Sequence, residues 1–360
     1  MYRVGGDIEI DVSLLLSNKK RNQEALTKEY PNHLWTGTGR AAILLALEEL
    51  EIRGVERIAY LPAYICDSVV QPFKEKNYTI YFYSMGADLN TPENLPRKLN
   101  NVVFLFVHYF GLENKAIKKW LENERSTQQF FVIEDCVQAA FSEFDNELFD
   151  FKIYSYRKFT PQPDGALLIS REKLHFNFEK LCTQDEKYFL LAQVEGKIRR
   201  SLSKDDSEFL SLLKSSESRL DSRMSVGRMS EFSVFLMERI DIEQIKKKRK
   251  ENWLFFSNMV ESDSLIKKFL TPLYTTILDN EVPLGFPVLA PVELRNSLRQ
   301  YLINHNIFCP IHWIIPEKNF VNDMRISSAI LTIPIDQRIS EEHILYVVEK
   351  LHQFFLEVIK

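Results

Sequence analysis

The sequence predicts an α/β fold with a larger domain followed by a smaller α+β one, and three observations predict it. Short apolar runs alternate with segments of helical period through the first half of the chain. A glycine turn opens an amphipathic helix within TGTGRAAILLALEEL, Thr36 to Leu50. The last hundred residues mix strand-like runs (LGFPVLAP, CPIHWII) with helical patterns at 293–304 and 341–359. At 360 residues the chain exceeds the usual size of one hydrophobic core, so we expect a large domain over 1–235 and a small one over 236–360.

In chain order, the residues before Gly37 (KEYPNHLW) carry Pro31, Asn32 and His33 and read as a poor strand. The glycine turn then admits two readings. As G-x-G-x-x-A (Gly37, Gly39, Ala42) it is a dinucleotide fingerprint, which requires a buried strand just before it. As the start of a helix with partnerless first-turn amides it holds one phosphate. Five apolar runs follow as buried strands of a sheet: RIAYLPAY around 58–64, YTIYFYSM at 78–85, NVVFLFVHYFG at 101–111, QFFVIEDC at 129–136 and GALLIS at 165–170. A helical pattern covers 113–124, a polar helical insertion spans about 171–222, and one long helix is expected from 229 to 259.

A net charge of -4 gives no broad basic field for nucleic acid. The run Lys246 to Lys250 (KKKRK) reads as a solvated helix face. MYRVGGDIEIDV lacks the apolar core of a signal peptide and no apolar run reaches membrane-spanning length, so a cytoplasmic protein without membrane contact is expected. Cys66, Cys136, Cys182 and Cys309 lack metal-ligand spacing and read as buried thiols, with no metal site.

Chemistry in open α/β folds collects beyond the carboxyl ends of the strands. That rule selects Pro62-Ala63-Tyr64, His108 to Gly111, Glu134 to Gln138, and Ser155-Tyr156-Arg157-Lys158. A carboxylate, an amide, an imidazole and an amine would thus converge on one cleft.

The ordered set TGR…PAY…VHYFG…IEDCVQA…SYRK…PDGA resembles the DegT/DnrJ/EryC1/StrS family of pyridoxal-phosphate-dependent sugar aminotransferases, of the aspartate aminotransferase (type I) fold. GRMSEFSVFLMERIDIEQIKKKRKEN and ILTIPIDQRISEEHILYVVEKL look like later segments of the same family, so the likeness runs from about Trp35 to Leu351. The resemblance implies a mixed, mostly parallel sheet flanked by helices, a small C-terminal domain, and pyridoxal 5'-phosphate as cofactor. By that resemblance Lys158 would carry the cofactor and then act as acid and base. Asp135 would pair with the pyridinium nitrogen, its alternative being a helix cap; Gln138, one helical turn on, would reach the ring hydroxyl. The amides of Gly39, Arg40 and Ala41, with the hydroxyls of Thr38 and Ser155, would take the phosphate. Tyr64 or His108 would stack on the ring, unless Tyr64 is a core aromatic and His108 a satisfied strand-end histidine. Arg228, His312 and Trp313 would line the substrate pocket; Trp313 in the core and Arg228 in a helix salt bridge are the alternatives.

Four departures from the family pattern stand out. Ser155 precedes Lys158 by three residues rather than five, the usual stacking aromatic falls near Cys66, an asparagine is replaced by Val226, and the helical stretch 171–222 replaces a strand-rich segment. Retention of a lysine rather than a histidine at 158 favours transamination. The resemblance implies a homodimer that moves an amino group from an amino acid, glutamate above all, to a keto sugar, nucleotide-linked, for surface polysaccharide or secondary-metabolite synthesis. Three other readings compete: a pyridoxal enzyme of another reaction type, a non-catalytic descendant that has lost the chemistry, and a nicotinamide oxidoreductase.

Overall fold

The computed structural model describes residues 2–21, 31–144, 147–175, 184–203, 207–222, 226–315 and 319–360. The elements in chain order are β1 (Val4–Gly5), α1 (Val12–Leu16), β2 (His33–Thr36), α2 (Gly39–Ile52), β3 (Ile58–Pro62), α3 (Asp67–Glu75), β4 (Thr79–Tyr83), β5 (Val103–Val107), α4 (Lys115–Glu124), β6 (Phe131–Asp135), β7 (Phe151–Ser155) and β8 (Ala166–Ser170). A helical hairpin follows, α5 (Gln184–Leu202) and α6 (Ser207–Ser222), then α7 (Glu231–Met237), α8 (Ile242–Ser262) and α9 (Ser264–Phe269). The rest comprises β9 (Thr271–Pro272), β10 (Phe286–Leu289), α10 (Val292–Asn304), β11 (Ile307–Phe308), α11 (Val321–Ala329), β12 (Ile330–Ile333) and α12 (Glu341–Val358).

Seven strands form one sheet in the order β2-β8-β7-β6-β5-β3-β4. The β3–β4, β3–β5, β5–β6 and β6–β7 pairs are parallel, and β8 alone runs against its neighbours β7 and β2. All five residues of β5 are buried, which is why that run is apolar without alternation. The chain leaves β3 outward to β4 and returns to β5 on the other side, so the order reverses between β3 and β5. Such a reversal opens a crevice at the carboxyl ends of the strands. A second sheet, β12-β10-β9, is antiparallel and has its own core of Trp253, Phe286 and Leu331. Strand β1 pairs with β11, Val4 opposite Ile307, so the start of the chain packs into that second core.

All five expected strand runs contain strands, and the mixed, mostly parallel sheet with flanking helices is the one expected. Four local expectations are corrected. HLWT does form a strand, β2, but as an antiparallel partner of β8 at the sheet edge. FKIYS forms β7, for which no strand was expected, because Lys152 in its middle is buried. The single long helix is two, broken before Asp241, whose carboxylate accepts from the Gln244 amide and starts α8. CPIHWII is not a strand; only Ile307–Phe308 before it pairs. The expected helical insertion is present as α5 and α6, while 176–183, with Cys182, lies outside the described residues.

Candidate active site

A cavity of about 260 Å³ lies at the carboxyl ends of the parallel strands. Cys66 follows β3, Val107 ends β5, Asp135 ends β6 and Ser155 ends β7, and all four line it. Thr38, Gly39 and Arg40 at the start of α2 close one side, and Gln138, Lys158 and Trp313 complete it. Lys158 follows Ser155 in a short turn and is exposed to the space around it.

The start of α2 is a capped helix terminus. The Thr38 hydroxyl accepts from the Ala41 amide at 3.2 Å, so Ala41 is engaged in the cap and does not face the cavity as expected. The Thr38 hydroxyl proton stays available for donation, and the first-turn amides of Gly39 and Arg40 lie beyond the reach of intrahelical bonding.

Asp135 is buried, its Oδ1 accepting from the Val137 amide at 2.9 Å. Burial pushes its carboxyl above the usual range, while the Val137 amide and the charges of Lys158 and His108 pull it back. The chain continues from it in turns rather than the expected helix, Ala139 N donating to Cys136 O at 2.8 Å. This still brings Gln138 to the same wall. Gln138 Oε1 accepts from the Phe110 amide at 2.8 Å, and Phe110 is held at φ 55°. With its oxygen fixed on a donor, the amide must turn Nε2 the other way. That nitrogen is buried with no hydrogen-bond partner among the described residues, an orphan donor that native interiors rarely tolerate without a ligand.

The two residues expected to stack on the ring are elsewhere. Tyr64 is fully buried in the core, its hydroxyl donating to the His312 carbonyl and its ring 5.8 Å from that of Trp313; it lines neither this cavity nor the next. His108 is buried on the opposite side of β6. Its Nδ1 accepts from the Asn114 amide at 3.0 Å, which fixes the proton on Nε2, 2.8 Å from Glu134 Oε1. Glu134 also meets Lys152 Nζ at 3.5 Å. Cys136 lies within the same cluster, its Sγ 3.7 Å from Glu134 Oε1, so the carboxylate meets an imidazole, a thiol and an ammonium. The imidazole therefore does not converge with the carboxylate, amide and amine: side chains alternate along a strand, and Glu134 faces away from the side to which Asp135 points.

A second cavity, of about 510 Å³, shares Arg157, Lys158 and Glu217 with the first. His312 lines it, its Nδ1 2.9 Å from Thr332 Oγ1. Burial, then the Lys158 charge, lowers the imidazole from 6.5 to about 3, so the ring is neutral. Trp313 faces the smaller cavity instead. Arg228 faces neither: it lies beside a minor cleft with Gly37, Thr38 and Asp164. Asp164 ties this corner together, accepting from the Ser230 amide at 3.0 Å, from the Ser230 hydroxyl at 2.7 Å and from the Ser233 hydroxyl.

Residues outside the expected set also line these walls. Glu217 and Leu220 reach in from α6, Lys197 from α5, Arg249 from α8 and Arg299 from α10. They sit in ordinary polar helical patterns, and no spacing marks them.

The edge position of β2 settles the glycine turn. A dinucleotide fingerprint follows an inner parallel strand of a βαβ unit, whereas β2 pairs only with antiparallel β8. The nicotinamide reading therefore falls through the strand's direction and place, not through its absence.

The whole arrangement has the fold of the sugar aminotransferases. Among solved structures the chain is similar to Helicobacter pylori PseC, an aminotransferase involved in the biosynthesis of pseudoaminic acid, at TM-score 0.68 and 15% identity over 99% of this chain and 100% of that one. It is also similar to the putative sugar aminotransferase Spr1654 from Streptococcus pneumoniae in its PLP form (TM-score 0.67, 14% identity, 99% and 100% covered). A DegT DnrJ EryC1 StrS aminotransferase from Brucella abortus gives TM-score 0.58 at 13% identity over 91% and 87%. No family model matches the sequence. No curated protein matches it.

Proposed function

We propose that the protein is a pyridoxal-phosphate-dependent aminotransferase that moves an amino group from an amino acid, glutamate by resemblance, to a keto sugar. One observation carries the reading: Asp135, the orphan amide nitrogen of Gln138, the start of α2 and the amine of Lys158 line a single cavity. Each wall fits one part of the cofactor. The first turn of α2, with the Thr38 and Ser155 hydroxyls, suits a phosphate. Asp135 suits a protonated ring nitrogen, whose charge would offset the burial that raises its carboxyl. Gln138 Nε2 is a donor in search of the ring oxygen. When bound, the cofactor supplies an electron sink and a temporary carrier for the amino group.

The chain's own residues do the rest. Lys158 tethers the cofactor and, once released, moves the proton at the substrate's reacting carbon, for which it opens to both cavities. Trp313, on the cofactor cavity, takes the flat apolar role assigned by sequence to Tyr64 or His108. His312, neutral, lines the larger cavity where the acceptor enters. Five cationic side chains there (Arg157, Lys158, Lys197, Arg249, Arg299) outnumber the carboxylates of Asp7, Glu217 and Asp336, which favours an anionic, nucleotide-linked acceptor.

Several wider features belong to the same proposal: a homodimer, division at 1–235 and 236–360, a role in surface polysaccharide or secondary-metabolite synthesis, and a cytoplasmic location in keeping with the free thiols of Cys66, Cys136 and Cys309. Among the described residues no helix is long and apolar enough to cross a membrane.

The deciding experiment adds pyridoxal phosphate to wild type and to Lys158→Ala and follows visible absorbance before and after borohydride, with and without glutamate. The expected result is a visible band that borohydride bleaches while fixing the cofactor to the chain, only when Lys158 is present, and that glutamate shifts to shorter wavelength. A wild type that acquires no band would sink the enzyme reading.

A further inference from the structure

The two cavities meet at one ion pair. Arg157 and Glu217 line both of them, as Lys158 does. The Arg157 guanidinium donates to Glu217 through Nη2, and its Nη1 and Nε have no hydrogen-bond partner among the described residues. Phe189 of α5 holds the guanidinium in place, its ring centroid 5.4 Å away. On the other side Gln193 Nε2 donates to Glu217 at 2.9 Å, and Gln193 Oε1 is buried with no partner among the described residues. Burial lowers the guanidinium, and Glu217 more than restores it.

An α-amino acid carries its carboxylate one bond from the carbon whose amine must meet Lys158. Its receptor must therefore share walls with Lys158 and offer a planar pair of donors to a carboxylate. The other cations on these walls are engaged elsewhere. Lys197 donates to Ile8 O at 3.0 Å, Arg249 to the carbonyls of Pro283 and Leu284 at 3.2 and 2.8 Å, Arg299 through Nε to the Cys309 carbonyl at 3.2 Å, and Arg40 to Gln71 Oε1 at 3.2 Å. Arg157 meets both conditions.

We propose that Arg157 is the receptor for the carboxylate of the amino-acid donor, and that Glu217 on the helical hairpin is an internal stand-in that occupies it until the donor arrives. The inference rests on the aminotransferase reading above. The incoming carboxylate takes the Nη1 and Nε edge of the guanidinium, and repulsion between like charges then displaces Glu217.

The test is a calorimetric titration of the cofactor-loaded protein with maleate, a dicarboxylate that has no amine to transfer. Wild type, Arg157→Gln, Arg157→Lys and Glu217→Gln are compared, each first checked for cofactor absorbance. Arg157→Gln should bind maleate at least ~10-fold more weakly, Arg157→Lys should fall between it and wild type, and Glu217→Gln should bind several-fold more tightly. A misfolded variant cannot bind more tightly, so the opposite signs separate recognition from damage. If the loaded wild type does not bind maleate, or if either the loss in Arg157→Gln or the gain in Glu217→Gln is missing, the proposal is overturned. Absence of cofactor absorbance in the wild type overturns the aminotransferase reading instead.

Discussion

Gln138 illustrates how one side chain acquires a direction. Nothing in its own chemistry tells its oxygen from its nitrogen; the Phe110 amide does, by claiming Oε1 and leaving Nε2 toward the cavity. His312 acquires a charge state in the same indirect way, from burial and the neighbouring Lys158. Its shift has a consequence for stability. The folded protein binds that proton less readily than the unfolded chain does, so the contribution of the neutral ring is complete above about 6.5 and lost as pH falls toward about 3. Urea midpoints measured across this window should fall steeply for wild type and less so for His312→Gln, whose amide still meets the Thr332 hydroxyl; parallel profiles would exclude His312 as the source. Sequence reasoning reached Gln138 and Asp135 through their place after a strand, and the same rule misled for Tyr64 and His108. Position after a strand is legible in a sequence. The face toward which the side chain turns depends on neighbours such as Glu134 and Asn114.

Elements repeat the lesson on a larger scale. Strands β3, β4, β5, β6 and β8 announced themselves as apolar runs, whereas β7 did not, because Lys152 interrupts it. That lysine stays buried since Glu134 lies 3.5 Å away and the Phe149 ring covers it at 4.5 Å from the centroid. A charge that is neutralised from a neighbouring strand looks, in one dimension, like a surface charge. Helix α7 depends on such a distant partner too. Ser230 caps it, and Asp164, from the turn before β8, accepts from the Ser230 amide and from the hydroxyls of Ser230 and Ser233. Removal of this buried acceptor strands three donors, so Asp164→Ala should destabilise the protein by ~2–4 kcal/mol. Chemical denaturation measures this, and a loss below ~0.5 kcal/mol would show that water replaces the carboxylate. The hairpin α5–α6 was legible as helical but not as a wall of the site, since no helical pattern reveals that Glu217 and Lys197 point at a cavity made elsewhere.

At the scale of the molecule, the larger cavity is built from segments far apart in the sequence, Gly5 to Asp336. Gly5 to Ile8 form part of its wall, and cationic side chains fasten that segment by its carbonyls: Arg200 to Gly5 at 2.7 Å, Arg338 to Gly6 at 3.0 Å and to Asp7 at 2.9 Å, and Lys197 to Ile8 at 3.0 Å. Gly5 sits at φ 82°, where an added Cβ would stand 2.5 Å from Pro334 Cγ and 2.6 Å from Phe308 O. Gly5→Ala should therefore cost at least ~2 kcal/mol, from the left-handed backbone and the clash together, and a thermal midpoint unchanged from wild type would show that the segment lifts away freely.

The pairing of β1 with β11 also sets an order of events during synthesis. Val4 leaves the ribosome long before Ile307, the residue it pairs with. The seven-stranded sheet has all its strands by Ser170 and can close early, while β1 must wait with its edge unpaired. A nascent chain halted before Ile307 would thus hold every strand around Asp135 and Lys158 and still lack one wall of the larger cavity, so this protein's capacity to hold a cofactor would mature before its capacity to enclose an acceptor.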